Sequence, residues 1–526
     1  MELDFLKNPS ESGQSVNDLN TRRTMEVAPS RELNSRPIFL RPNAAARLFG
    51  QNALCAEQWF CPNIVESFRM NTNFLSTLRD NGMKARAIRG TALSVVGFGG
   101  GQVIRLISNL ILTRILFPEA FGLMALVQIV VTGLEMFSDM GIHPAIIQSK
   151  NGEDRDFLNT AWTMQIIRGL FLWLIACLIA TPAAQFYGQD ALIQMIPVLA
   201  FTTVISSFRS TNYSLASRRL TLGRVTAVEL IAQVAGTIIL ILVALWLQSV
   251  WALVIGSLIG VTIHTMLTHL ILDGGRNKLA WSKPAAWEIF HFGKFIVIST
   301  IAGYLVNQGD RLILGKYVSL EELAIFTIAF LFGSLPLTLA IQLNSRVLIP
   351  LFKQRPPAES ENNFRKIRRA RMLLLLGFLA ISTALSLLGE DLIEVLYDPR
   401  YYRAGPMLVL LSLSVIPALL LDGYKGVLLA NGNSRDFTII IVISAVVKTV
   451  LLVVMIQKFG IVGAIIAPFL SELVTYPLLV HYIRPYRGWH PGLDVLLLSI
   501  GVAIMALALW LSPAANELLV TALRGV

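Results

Sequence analysis

Apolar blocks of about 20 residues, each enough for a helix to cross ~30 Å of hydrocarbon, recur from residue 92 almost to the chain end. No other property constrains the fold as strongly. Inside a bilayer the backbone must satisfy its own hydrogen bonds, and runs of this length do so as helices. Thirteen spans are legible: about 92–117, 119–142, 160–181, 191–214, 222–247, 250–272, 289–315, 322–349, 372–396, 405–430, 437–457, 460–483 and 492–512. The 526 residues are 54% hydrophobic and 15% charged, whereas a soluble domain carries about 25% charge. The expectation is an all-α, polytopic helical membrane protein.

The net charge of +11 raises the question of a nucleic-acid partner. Its placement answers against one. The basic residues gather in short loops, "SRRLTLGR" (217–224), "GGRNKLAWSK" (274–283), "KQRPPAESENNFRKIRRAR" (353–371) and "RPYRG" (484–488). Alternate connections, such as "PAAQFYGQ" (182–189) and "YDPRYYRA" (397–404), lack that excess. By the positive-inside rule the basic loops are cytoplasmic, and so is the N-terminus. The run "RKIRRAR" (365–371) is a solvated topogenic loop with a secondary attraction for anionic lipid headgroups. Residues 1–88 read as a cytoplasmic, disordered tail, and Glu2 and Asp4 argue against a signal peptide. Cys55, Cys61 and Cys177 form no disulfide framework or zinc spacing, and no HExxH occurs, so no metal is expected.

A faint internal repeat organises the spans. Residues 109–126 align without gaps on 311–328, with Leu110/Leu312, Ile111/Ile313, Leu112/Leu314 and Glu119/Glu321 identical. Each segment opens a series of six spans running in the same direction. Two six-helix lobes related as parallel repeats, around a central cavity, are a transporter arrangement. The expected boundaries are 89–273 for the first lobe, 274–288 for a linker, 289–484 for the second lobe, and 485–526 for an extra C-terminal helix and tail.

Polar residues inside the spans are the candidates for function. Compared at 100° per residue, Gln102, Arg105, Asn109 and Thr113 share one face of the first span. Gln128, Thr132, Glu135 and Asp139 share a face of the second. Gln165 and Arg168 are neighbours in the third, Tyr304, Asn307 and Arg311 in the seventh. Asp422, Lys425, Lys448 and Glu472 follow in later spans. An intramembrane charge costs ~2.5–3.5 kcal/mol on insertion scales, so such groups face a bundle interior or a wet cavity. The bland alternative is that they pair and only hold helices together. Against it, Glu135 and Asp139 align with Leu337 and Ile341 in the repeat, so packing itself does not demand them. "GFGGGQ" (97–102) follows an apolar helical stretch rather than a strand. Its Gly97 and Gly101, like Gly256 and Gly260, are read as sites of close helix contact, not as a phosphate loop.

"SNLILTRILFPEAFGLMALV" (108–127) and "FSDMGIHPAIIQ" (137–148) resemble the opening of bacterial oligosaccharide flippases. These are Wzx-type polysaccharide exporters, in the superfamily of the MATE exporters and the lipid II flippase. "LYDPRYYRAGPMLVLLSL" (396–413) and "FGIVGAIIAPFLSELVTY" (459–476) resemble later family segments. The resemblance implies a transporter, not an enzyme. It would flip a polyprenyl-diphosphate-linked oligosaccharide by alternating access, for surface or exopolysaccharide synthesis such as O-antigen or lipopolysaccharide. On that implication Arg105, Asn109, Arg168, Asn307 and Arg311 are substrate-binding candidates, since guanidinium groups pair with phosphates. Glu135 and Asp139 are candidates for proton or sodium coupling, with no other cofactor. Expected partners are the lipid-linked substrate, membrane lipids and other polysaccharide-assembly proteins. A MATE-like exporter of a drug or metabolite is the alternative, and a membrane polymerase or ligase stands further back because the external connections are short.

Overall fold

The computed structural model describes residues 83–138, 141–219 and 221–524. The expected tail lies outside the described residues up to residue 82, and so does Asp139. Among the described residues every regular element is a helix. The first half runs α1 Met83–Ile115, α2 Pro118–Phe137, the short α3 Ile142–Gln148 and α4 Arg155–Tyr187. A bent pair, α5 Leu192–Ser207 and α6 Asn212–Arg218, then leads to α7 Leu222–Leu247 and α8 Val250–Leu270. The same order returns with α9 Lys283–Tyr317 and α10 Leu320–Gly333. The chain continues from α10 through α11 Leu335–Leu343, a π-helical turn Asn344–Leu348 and α12 Ile349–Gln354. After it come α13 Glu361–Leu396, a second bent pair, α14 Ala404–Ser414 and α15 Ile416–Ala430, and α16 Ser434–Ile483. The extra elements are α17 Pro491–Leu511 and α18 Pro513–Arg524. The chain is a multi-pass, all-helical membrane protein. Among the described residues eight helices are long and apolar enough to cross a membrane, counting α11 through α12 as one, and up to ten if each bent pair is one span.

Sequence sets the breaks. Proline opens α2 in its first turn, where its missing N–H costs nothing. Gly188, at φ +65°, ends α4 in the left-handed conformation. Gly460, at φ +57° and ψ −133°, divides α16 into two helices. A Cβ on Gly463 would fall 2.0 Å from the Met455 carbonyl oxygen, an approach that a continuous helix never brings eight residues apart. The chain therefore doubles back at Gly460, and each of the thirteen expected spans falls on a helix or a broken helix. Helix α9 begins at Lys283, inside the stretch expected as a linker at 274–288.

Within the first half, α7 packs against α1 and α8, and α4 against α5. Small residues set the distances. Gly97 and Gly101 lie within α1 facing Thr226 and Gln233 of α7, and Gly236 of α7 meets Gly260 of α8. The glycine-rich stretch is a helix-packing surface. In the second half α9 packs on α16, α13 on α14, and α15 on α16. The halves join where α2 and α10 begin, away from the basic loops. There a Cβ on Gly122 would fall 2.0 Å from the Leu320 carbonyl oxygen. Leu126 and Val127 share one buried cluster with Leu323 and Phe326. Because lipid tails are as apolar as leucine, this contact is held by close packing, which requires a residue as small as Gly122. Helix α9 touches both halves. Its start is tied to the first by Glu288, which accepts from Ser149 Oγ (2.6 Å) and Asn151 Nδ2 (3.2 Å). Farther along, Tyr304 Oη donates to the Ile129 carbonyl at 2.8 Å.

Candidate functional site

Toward the basic loops the helices of the first half wall a cavity of about 980 Å³. Helices α1 and α2 turn Gln102, Arg105, Gln128, Thr132 and Glu135 into it, the two faces that spacing predicted. Helix α7 adds Thr226, Glu229, Gln233 and Thr237 at spacings of three, four and four, which is again one helical face. The bend between α5 and α6 supplies Arg209, α6 supplies Tyr213, and α8 supplies His264. The second half contributes Arg346 from the π-helical turn. A π turn inserts a residue into the helical register and so redirects its side chains. Asn344 and Ser345 line a separate cavity inside the second half, whereas Arg346 reaches the large one.

The walls are held in place by local bonds. Gln233 Nε2 donates to the Gly101 carbonyl at 2.7 Å and fixes α7 to α1. Tyr213 Oη donates to Glu229 Oε1 at 2.5 Å, and the Arg209 guanidinium lies 5.3 Å from the Tyr213 ring centroid. A second chamber of about 480 Å³ adjoins the first, sharing Glu135, Ser206, Arg209 and Tyr213. Arg168 lines it, and its Nη2 donates to the Glu135 carbonyl (2.7 Å) while Nε donates to Ser138 Oγ (3.0 Å). Those acceptors belong to the end of α2, where carbonyls lack helical donors, so Arg168 also caps that helix. Across both chambers four arginines (105, 168, 209 and 346) face two carboxylates (135 and 229). The surplus is two positive charges.

The structure distributes the sequence candidates unevenly. Arg105 and Glu135 line the large cavity, and Arg168 lines its annex. Asn109 is half-buried beside the cavity and does not line it. Asn307 lines the smaller cavity, about 260 Å³, with Asn344, Asp422 and Lys425. Arg311 lines neither chamber; its guanidinium lies 4.3 Å from the Phe330 ring centroid and its Nη1 donates to Gln308 Oε1 at 3.4 Å. Tyr304, Asn307 and Arg311 do share a face. Seven residues rise ~10 Å along a helix, however, and over that distance the neighbours of α9 change. Asp139 lies outside the described residues. Sequence reasoning missed Arg209, Glu229, Gln233 and Arg346, although the spacing test applied to α1 and α2 finds Glu229 and Gln233 equally well on α7. Among the described residues no group of three or more His, Cys, Asp or Glu side chains could hold a metal ion.

Several charges of the second half pair with each other. Arg371 Nη2 donates to Asp494 Oδ1 at 3.1 Å, with both side chains 3% exposed or less. Lys448 Nζ lies 2.7 Å from Asp310 Oδ1, and Lys425 Nζ lies 3.6 Å from Glu472 Oε1.

A family model described as "Polysaccharide biosynthesis protein" matches residues 111–406. The chain is 21% identical over 309 residues to the teichuronic acid biosynthesis protein TuaB of Bacillus subtilis, covering 56% of this chain and 61% of that protein. It is 22% identical over 327 residues to the succinoglycan biosynthesis transport protein ExoT of Rhizobium meliloti, covering 62% of this chain and 65% of that protein. The chain thus spans less than two thirds of either relative. Among solved structures, the lipid II flippase MurJ in its inward closed conformation superposes with a TM-score of 0.59 at 12% identity. That match covers 83% of this chain and 98% of MurJ, and it shows a shared fold.

Proposed function

This chain belongs to the polysaccharide biosynthesis protein family, and from that premise we propose that it flips a polyprenyl-diphosphate-linked oligosaccharide across the bacterial inner membrane by alternating access. One observation carries the reading: a cavity of about 980 Å³ walled by helices of the first half, with Arg346 reaching it from the second, while the two halves touch where α2 meets α10. A diphosphate diester carries two negative charges, and the chambers hold a surplus of two positive ones. Guanidinium groups suit that ligand because their planar donors engage phosphate oxygens in pairs. Glutamines, threonines and tyrosine on the same walls offer partners for sugar hydroxyls, and the lipid tail stays in the bilayer between helices.

Arg346 gives such binding a consequence. A ligand held by Arg105 and Arg209 on one side and Arg346 on the other draws the halves together on the side of the basic loops. A ligand shifts a conformational equilibrium only through differential affinity, and contacts to both halves supply it. Glu135 has Arg168 and Arg209 as charged neighbours and is the candidate for ion coupling, by proton or sodium. The family relation and the fold speak for transport rather than catalysis. With basic loops cytoplasmic, substrate enters from that face.

The test is reconstitution in vesicles with a fluorescent polyprenyl-diphosphate oligosaccharide. Protein-dependent transfer to the opposite leaflet is expected, with much weaker transfer of a lipid-linked sugar that lacks the diphosphate. Failure to transfer either lipid, by protein that remains folded, overturns the reading.

A further inference from the structure

Two of the sequence segments, separated by nearly 290 residues, meet in space. "TRILFPEAFG" (113–122) forms the end of α1 and the start of α2, and "YDPRYYRA" (397–404) connects α13 to α14. Both lie at the end away from the basic loops. Arg400 Nε donates to Asp398 Oδ1 of its own loop at 2.8 Å. Its Nη2 crosses to the first half and donates to the Thr113 carbonyl at 3.3 Å. Thr113 lies in the last turn of α1, whose carbonyls lack helical donors and carry the negative end of the helix dipole. The Arg400 guanidinium also sits 5.4 Å from the Phe117 ring centroid. Next to it, fully buried Tyr401 meets Phe121 edge to face, with ring centroids 6.5 Å apart. Charged neighbours alternate across the seam, with Glu119 near Arg400 and Arg114 near Asp398.

We propose that the α13–α14 connection is an external latch, in which Arg400 clamps the C-terminal end of α1 and holds the halves closed on that face. Asp398 is a positioning residue that aims the guanidinium across the seam. The arrangement suits a reversible closure. It rests on one cation that is itself about a third exposed, so opening returns Arg400 to water rather than stranding a buried charge. It contrasts with Arg403, which lies 3.7 Å from Glu322 within the second half and does not span the seam.

The inference rests on the alternating-access reading, and the experiment separates the two. In full-length protein with its three cysteines replaced by serine, Gln128→Cys reports on the cavity. An impermeant thiol reagent is applied outside intact cells and, separately, to inverted vesicles. With Arg400→Ala, outside labelling should rise about fivefold, the population shift expected for losing one hydrogen bond of ordinary strength. Arg400→Lys should return part of the way, and Arg403→Ala should match the parent. Equal outside labelling of Arg400→Ala and the parent, with strong labelling in inverted vesicles, overturns the latch and leaves the carrier intact. Absence of labelling from both sides overturns both.

Discussion

The two halves of the molecule hold the charges of their helices in opposite ways. In the second half, Arg371 meets Asp494 and Lys448 meets Asp310, each within about one hydrogen-bond length. In the first half, Arg105 and Arg209 line a cavity wide enough for water. Identical residue types in apolar helices therefore serve different ends. Paired charges fix helices to each other, whereas cavity-lining charges remain available to a ligand. The same distinction runs through the α9 candidates, since Asn307 lines a small cavity and Arg311 is spent on Phe330.

The comparison breaks most visibly at Asp494. Asp494→Leu leaves the Arg371 guanidinium buried without its counter-charge, which typically costs ~3–5 kcal/mol. The thermal unfolding midpoint in detergent should fall sharply, and the double change Arg371→Met/Asp494→Leu should recover much of it. An unchanged midpoint for Asp494→Leu would show that the second-half pair is not structural. Next in size is Arg105→Glu. Loss of one charge-assisted contact, ~1.5–3 kcal/mol, should lower transfer of the lipid-linked sugar ten- to a hundredfold while leaving the unfolding midpoint in place. A drop in both would merge the two classes of charge.

Arg168 is intermediate, since it lines the annex and also caps α2. Arg168→Gln should cost ~1 kcal/mol in stability and a few-fold in transfer. The smallest effect concerns the external loop. The hydrogen bond from Arg400 holds the Asp398 carboxyl below the usual carboxylate range. Its contribution is present above that range and is lost only as pH falls through the lowered value. Outside labelling of the Gln128→Cys reporter, normalised to that of the unfolded protein at the same pH to remove the thiolate's own titration, should thus be flat from pH 7 to about pH 5, and a rise over that interval would place the latch on another group.

Much of the fold was legible because hydrocarbon thickness imposes a length that the sequence cannot hide. The breaks at Pro118, Gly188 and Gly460 also carry plain chemical signals. The site was legible only in part. Faces of α1 and α2 follow from spacing, but whether a face meets a cavity, a neighbour or lipid depends on the partner helix. Arg346 shows the limit: only the π turn, which has no simple residue signature, sends it into the large cavity while Asn344 points elsewhere. Arg209 lies at the bend between α5 and α6, where a straight-helix projection does not apply.

The Arg371–Asp494 pair also carries a consequence for biogenesis. Its partners are 123 positions apart, and the aspartate comes second. At ~5–20 residues per second a ribosome needs roughly 6–25 s to make that stretch. Throughout that interval the arginine is already in its helix without its partner, so final assembly of this half waits on α17. Helix α17 is thus needed to complete this core, and a nascent chain halted before it carries an unanswered buried charge.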